Sequence, residues 1–438
     1  MTFVRPKRRM LIAAASMGAL FAVAACGGGG DEGSPQASGT AAGADFTKQG
    51  DIEFWRGKDS AGYLPKAIKA FNDQHPNGKV TFHELPEAAD QQRQQMIQNT
   101  QIKNPKMAVL GVDVVWTAEF AANGYVEALP ADQFPTDQML KPAVDSATYF
   151  NKLYGYPQST NAGLLFYRKD LLDKYNLKPP TTFDEMRQAC DKIKPGENNP
   201  KLECYSGQFQ KYEGLVVNTD EAIHGAGGVI VGDDGKPNVA TPEATKGLQT
   251  LVDLLKDGYA PKAAITWKEE EGRQAFQQGN LIFLRNWPGI YAQLAAEDGS
   301  SKVPGKFAVA LLPGITGPGV SSLGGANLAV AKNAENKGTA VDFIKFMAAP
   351  EQQKGFAMAT GGAPTLASAY TDPDILKKYP SFPTLLKSLE SAKPRPKAVK
   401  YGDVTVAIQD AAYGALQGQT APDAALQSLQ SKLQTLIK

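Results

Sequence analysis

Residues 51–116 read DIEFWRGKDSAGYLPKAIKAFNDQHPNGKVTFHELPEAADQQRQQMIQNTQIKNPKMAVLGVDVVW. Short apolar runs alternate here with longer segments of helical period. DIEFW begins a strand, and YLPKAIKAFN places Leu64, Ile68 and Phe71 on one helical face. KVTFHEL returns as a strand, and the glutamine-rich AADQQRQQMIQNTQI follows as a helix. AVLGVDVVW is then a buried strand that runs into the short helix TAEFAANG. Strand, helix, strand, helix, strand is the order of a parallel α/β sheet. Ligands of such sheets lie beyond the carboxyl ends of the strands. Trp55, Asp113 and Trp116 fall at those ends.

The same alternation continues outward. AGLLFY reads as a strand, and Thr182 with Glu185 has capping-box register for a helix. TPEATKGLQTLVDLLKDG offers Thr241 as N-cap and Pro242 at the first helical position. EEEGRQAFQQG is a helix stopped by Gly279, and it feeds the strand in LIFLRNWPGIY. That strand ends at Trp287, because Pro288 forbids continuation. Trp287 is either a plug for the core or a flat surface offered to a ligand. The turn-rich LLPGITGPGVSSLGGANLAVAK leads to a strand and the helix KGTAVDFIKFMAA, and the chain from DPDILKKYP onward reads as helices. At 438 residues the chain exceeds what one hydrophobic core serves. The expected architecture is α/β: a two-lobed clamshell with hinge crossovers near residues 156–161 and 324–327, and C-terminal helices. Residues 48–158 and 326–370 are assigned to the first lobe, and 159–325 and 371–438 to the second.

The beginning of the chain has a different character. Arg5, Lys7, Arg8 and Arg9 precede an apolar run over residues 10–23, which is too short for a stable span and is followed by small residues. Residues 1–25 therefore read as a signal peptide. VAAC, ending at Cys26, resembles a bacterial lipobox, in which the cysteine is lipidated and becomes the new N-terminus. Residues 26–47 then hold the lipidated cysteine and a Gly/Ser/Ala/Pro-rich linker. Cleavage would remove four cations and change the formal charge from +1 to −3. Neither value is the basic footprint of a nucleic-acid binder. Of the three cysteines, Cys190 and Cys204 remain, and an exported setting favours a disulfide between them over two buried thiols. The histidines His75, His83 and His224 lie far apart, no CxxC occurs, and VGDDGKP has too few acids for a calcium loop. No metal or cofactor is expected.

Catalytic signatures are missing as well: there is no GxSxG, HExxH, P-loop or dinucleotide-binding glycine triplet. A glycoside-active enzyme would need two facing carboxyls, for which Asp113 and Glu269 are the candidates. A binding site uses such residues differently. A sugar presents hydroxyls at its edge and C–H groups on its faces, so it suits carboxylates, amides and arginine around aromatic rings. Asp113 and Trp116, Asn161, Tyr212 with Glu213, Trp267 with Glu269, and Trp287 supply both kinds. All four tryptophans fall near element ends in this reading, which favours a stacking platform over core plugs.

Several segments carry a specific resemblance. EGRQAFQQGNLIFLRNWPGIY, together with the lipobox and the two-lobed pattern, resembles the extracellular solute-binding proteins of ABC sugar importers. DVVWTAEFAANGYVEAL, STNAGLLFYRKDLL and GGANLAVAK are most similar to its trehalose/maltose branch, including the trehalose-binding lipoproteins of actinobacteria. The resemblance spans essentially the whole mature chain. It implies a monomeric, lipid-anchored protein on the outer face of the cell membrane, which captures an α-linked disaccharide or short oligosaccharide for an ABC permease and does no chemistry on it. By the same resemblance Asp113 takes sugar hydroxyls, Asn161 gives an amide contact, Trp287 stacks, Gly325 gives a backbone contact and Arg395 reaches back from AKPRPKAVKY. Glu269 is the matching glutamate, with Glu270 and Glu271 leaving its register open. FWRGKDSAGY departs from the family pattern, and Lys58 and Asp59 there stand where other polar residues are found; Asp59 is taken as a ligand contact, in a loop that bears on which sugar is accepted.

Overall fold

The computed structural model describes residues 44–59 and 62–437. Strands β1 (Ile52–Gly57), β2 (Val80–Leu85) and β3 (Met107–Asp113) come from the opening pattern. A small hairpin, β4 (Thr148–Tyr149) and β5 (Lys152–Leu153), precedes the consecutive strands β6 (Tyr156–Ala162) and β7 (Leu164–Arg168). β8 (Glu203–Ser206), β9 (Leu281–Asn286), β10 (Phe307–Ala310) and β11 (Leu323–Val330) complete the set. Two main sheets result, ordered β2-β1-β3-β11-β6 and β10-β7-β9-β8. In the first, β1 lies parallel between β2 and β3, and β11 runs antiparallel between β3 and β6. In the second, β7 is antiparallel to both neighbours and β8 is parallel to β9.

The architecture is a two-lobed α/β clamshell. The chain passes from one sheet to the other through Gly163 alone. A side chain at that position would meet the Arg285 guanidinium at 2.7 Å and the Glu221 carboxylate at 2.9 Å, so the crossing requires glycine for space. It returns between Ala310 and Leu323. β6 thus keeps residues 159–162 in the first sheet and β11 keeps 323–325 there, whereas the sequence reading placed both in the second lobe. The reason is pairing: β6 and β11 hydrogen-bond along their whole overlap, from Leu323 opposite Ala162 to Leu328 opposite Tyr156.

Each lobe has its own core. In the first, the Phe343 ring packs on Phe54 at 5.3 Å and on Phe71 at 5.2 Å. Leu64, Ala67, Ile68 and Phe71 form the buried face of the helix Leu64–Gln74, as the period requires. In the second, Thr182 and Glu185 complete a reciprocal capping box on Phe183–Ile193, and the Thr241 hydroxyl accepts from the Ala244 N–H at the start of Pro242–Lys256. The C-terminal helices Tyr401–Leu416 and Pro422–Leu436 pack on one another and against the helices of this lobe, burying Val404, Ile408, Leu429 and Leu433.

Cys190 and Cys204 are joined, with Cα atoms 5.5 Å apart and a sequence separation of 14, inside the core of the second lobe. A loop of this length contributes about 3 kcal/mol in the chain-entropy account. Replacing both cysteines by serine should lower the urea unfolding free energy by about that amount or somewhat more, because two buried hydroxyls then need partners. Equilibrium unfolding of the double variant checks this.

Candidate ligand-binding cleft

The carboxyl ends of the first-sheet strands and several helix starts of the second lobe converge on one cavity of about 310 Å³. β3 ends at Asp113, and Trp116 sits in the turn that follows. β6 brings Asn161, and β11 brings Gly324 and Gly325. Opposite them stand Glu213 at the start of the helix Glu213–Gly225, Glu269 at the start of Glu269–Gln277, and Trp287 just beyond β9. Arg395 enters from the extended segment after the helix Phe382–Ser391. Small-molecule sites span roughly 300–1,000 Å³, so this cavity suits a compact ligand.

Asp113, Asn161, Glu213, Glu269, Trp287, Gly325 and Arg395 are thus brought together as the sequence suggested. Asp59 is not. Its carboxylate accepts from the Leu64 N–H at 2.6 Å, capping the helix Leu64–Gln74, while its neighbour Lys58 lines the cavity. A free helix N–H five residues downstream is a local partner that outcompetes the cleft for this side chain. The three neighbouring glutamates differ in their partners. Glu269 faces the cavity and accepts from the Tyr212 hydroxyl at 2.6 Å. Glu270 also lines it but is held by Arg273 at 2.8 Å, and Glu271 caps its own helix through the Lys268 N–H at 2.9 Å.

The tryptophans divide. Trp55 lies within β1, stacks on His83 at 3.7 Å and belongs to the first core; Trp267 is half-buried against the cores of the second lobe. The expectation that all four would sit at element ends is corrected for Trp55; Trp267 does follow the short 3-10 helix Lys262–Thr266, but neither ring lines the cavity, so neither belongs to a platform there. Trp116 is buried but borders the cavity, and Trp287 is half-buried and borders it too. The Trp287 ring slides over Gly324, where a Cβ would come within 2.9 Å of its six-membered ring. Arg56, Glu87 and Gln92 also line the cavity and were not singled out from sequence. Arg56 and Gln92 are at the carboxyl end of β1 and near the start of the helix Ala89–Gln101, which is the only signal that would have found them.

Arg395 is the electrostatic centre. Its guanidinium donates to Glu213 and, at 3.2 Å, to Asp113, so one cation faces two carboxylates from opposite lobes. Glu213 further accepts from the hydroxyls of Tyr401 and Thr405, each at 2.6 Å. Burial pushes the Glu213 carboxyl up to about 7; Arg395 opposes that rise and Asp113 adds to it. Burial also raises the Glu269 carboxyl, against the hydrogen bond from Tyr212. Across the lobes, Asp90 accepts from the Glu213 N–H at 2.8 Å, and Lys268 pairs with Glu87 at 3.0 Å. Among the described residues no cluster of His, Cys, Asp and Glu could hold a metal ion, and no helix is long and apolar enough to cross a membrane.

A cleft between two α/β lobes, walled by acids, an arginine and an indole, is that of a solute-binding protein. The chain belongs to the bacterial extracellular solute-binding proteins, whose family model matches residues 57–354. It is similar to a probable ABC transporter-binding protein of Deinococcus radiodurans, 35% identical over 370 residues that make up 81% of this chain and 86% of the relative. A maltose-bound structure of T. maritima MalE3 is 32% identical with a TM-score of 0.84, covering 88% of this chain and 99% of that one. A solute-binding protein of Thermotoga lettingae bound to α-D-tagatose shares the fold at 22% identity, with a TM-score of 0.81, over 89% of this chain and all of its own (100%). The protein is a substrate-binding component of the ABC-transporter kind and not an enzyme, which removes the glycoside-cleaving reading of Asp113 and Glu269.

The Glu213 carboxyl is raised from its ordinary 4.5 to about 7 in the folded chain. The folded state therefore holds this proton more tightly than the unfolded one. Its contribution to stability is full below the unfolded value and is lost as the pH rises through about 7. Urea midpoints measured from about pH 5 to pH 8 should fall more steeply for the wild type than for Glu213→Gln, which cannot titrate.

Proposed function

We propose that the chain captures an α-linked gluco-oligosaccharide, trehalose or a maltose-type sugar, and delivers it to an ABC permease. The observation that carries this reading is the joining of an indole, Trp287, with Asp113, Asn161, Glu269 and Arg395 around one cavity. Sugar C–H faces pack on a ring, and sugar hydroxyls bond to the surrounding acids, amide and guanidinium. The likeness to a maltose-bound protein at 32% identity supports the sugar class. Hydrogen bonds to charged groups contribute roughly 1.5–3 kcal/mol each. After ordering costs, three of them and a stacking ring leave about −8 kcal/mol, a low-micromolar affinity.

In this mechanism Asp113 and Asn161 hold the sugar from the first lobe while Glu269 and Trp287 hold it from the second, and hinge closure follows because the ligand bridges them. Gly325 offers its backbone. Arg395 serves both sides, and Glu213 orients Arg395 rather than the sugar, since both of its oxygens already accept bonds. The permease reads the closed surface. The protein works as a monomer held at the outer face of the membrane by lipid on Cys26, a position outside the described residues.

Titration of intrinsic fluorescence with trehalose, maltose, maltotriose, sucrose and glucose tests the assignment. One of the α-glucosides should give a saturable change at micromolar concentration; silence with all five sinks the α-glucoside assignment. Trp287→Ala should raise the Kd for that sugar by about 10–100-fold with little change in melting temperature. Cys26→Ser should move the protein from the membrane fraction to the soluble one, and retention there would refute the anchor.

A further inference from the structure

Behind the indole of Trp287 lies a cation that does not line the cleft. Arg285, on β9, is 1% exposed, and its guanidinium carbon stands 4.1 Å from the Trp287 ring centre. Three hydrogen bonds fix the plane of that guanidinium. Nε donates to Glu221 at 2.8 Å and Nη2 to the other oxygen of Glu221 at 2.6 Å, while Nη1 donates to Gln208 at 3.0 Å. With three of its five N–H groups bonded in this way, the guanidinium is held with its carbon over the ring. A planar guanidinium does this well, because its fork and its flat face are used at once.

Glu221 has further bonds. The oxygen that accepts from Nη2 also accepts from the Ser321 hydroxyl at 3.1 Å and the Ser322 N–H at 3.2 Å. The Ser321 oxygen in turn accepts from the N–H of Gly163 at 2.6 Å. Gly163 is the one residue between β6 and β7, and Ser321 and Ser322 lead into β11, so one passage of the chain between the sheets bonds this carboxylate directly and the other reaches it through the Ser321 hydroxyl.

We propose that Arg285 is a positioning residue for the ligand: it holds the Trp287 ring at the cleft and, through Glu221 and the Ser321 hydroxyl, ties that ring to both passages of the chain between the two sheets. The proposal rests on Trp287 being the stacking surface for the sugar. Arg285 and Glu221 touch no ligand themselves; they act by keeping the ring in one orientation relative to the hinge.

The test is a double-mutant cycle on the full-length protein, read by calorimetric titration with maltose and with trehalose. Arg285→Lys keeps the charge but loses the fork and the flat face. It should raise the Kd about tenfold when Trp287 is present and less than about twofold in the Trp287→Ala background. Glu221→Gln should follow the same pattern and serves where Arg285→Lys does not fold. Equal losses in both backgrounds would overturn the proposal, because the buried pair would then act on the fold alone. Acrylamide quenching without sugar gives a second readout. The Trp287 contribution, taken as the difference from Trp287→Phe, should become more accessible in Arg285→Lys, and unchanged quenching would also overturn the proposal. If neither sugar binds but quenching rises, the ring is held by Arg285 as stated and it is the sugar assignment that fails.

Discussion

The guanidinium of Arg395, 2% exposed, sits between Asp113 of the first sheet and Glu213 of the second lobe. Charges taken out of water are costly, and removing one partner of such a set strands the others, at a cost of about 3–5 kcal/mol. Its neighbours keep the two terminal nitrogens paired, while Nε is buried without a partner. Its segment is pinned to the entry of β11 by backbone bonds, Leu323 N–H to Lys393 O at 2.7 Å and Lys393 N–H to Ser321 O at 2.9 Å. The helix Tyr401–Leu416 that follows supplies the hydroxyls of Tyr401 and Thr405 to Glu213. A part of the chain more than 180 residues away from Glu213 therefore completes the cleft, and the C-terminal helices belong to the site as much as to the fold.

One cation shared by two carboxylates is an unbalanced set, and the imbalance explains the proton affinity of Glu213. Asp113 lies at the cavity edge, part-exposed, while Glu213 is buried among the second-lobe helices. The acid with less water is the one whose carboxyl is pushed up, with the nearby Asp113 charge adding to the effect. A polar ligand that bonds to Asp113 would alter this balance without touching Glu213. Contacts inside the network and contacts to the ligand are thus electrostatically linked.

What could be read from the sequence was what depends on near neighbours. The apolar face of Leu64–Gln74, the capping box at Thr182 and Glu185, the Thr241 cap and the Cys190–Cys204 pairing are each set by residues within about one helix or loop, and each is found in the structure. The strand-end residues of the cleft were legible because parallel strands place their carboxyl ends together. What was not legible depends on partners far away in sequence. Three consecutive glutamates look alike in the chain, yet Tyr212, Arg273 and the helix start at Lys268 give each a different role. Trp55 and Trp287 are equally aromatic, and only the stack on His83 against the proximity to Gly324 separates core from cleft. Asp59 was misread for the opposite reason: a local helix cap claimed it before any distant ligand could.

The two buried ion groups divide the work of the cleft between them. Arg395 joins the lobes directly, with carboxylates on both sides of the cavity, and so resists separation of the walls. Arg285 lies wholly within the second lobe, yet its partner Glu221 is bonded to Ser321 and Ser322 at one passage of chain between the sheets and, through the Ser321 hydroxyl, to Gly163 at the other. A rotation of the lobes changes the backbone at the links between them, and Gly163 and the pair Ser321 and Ser322 are two of these, the third being the chain between β11 and the C-terminal helices. A change at either of the first two reaches the Glu221 carboxylate and then the ring-bearing guanidinium. The orientation of the aromatic wall and the angle of the hinge are in this way parts of one hydrogen-bonded unit, which a sugar gripped by that wall would engage from the other side.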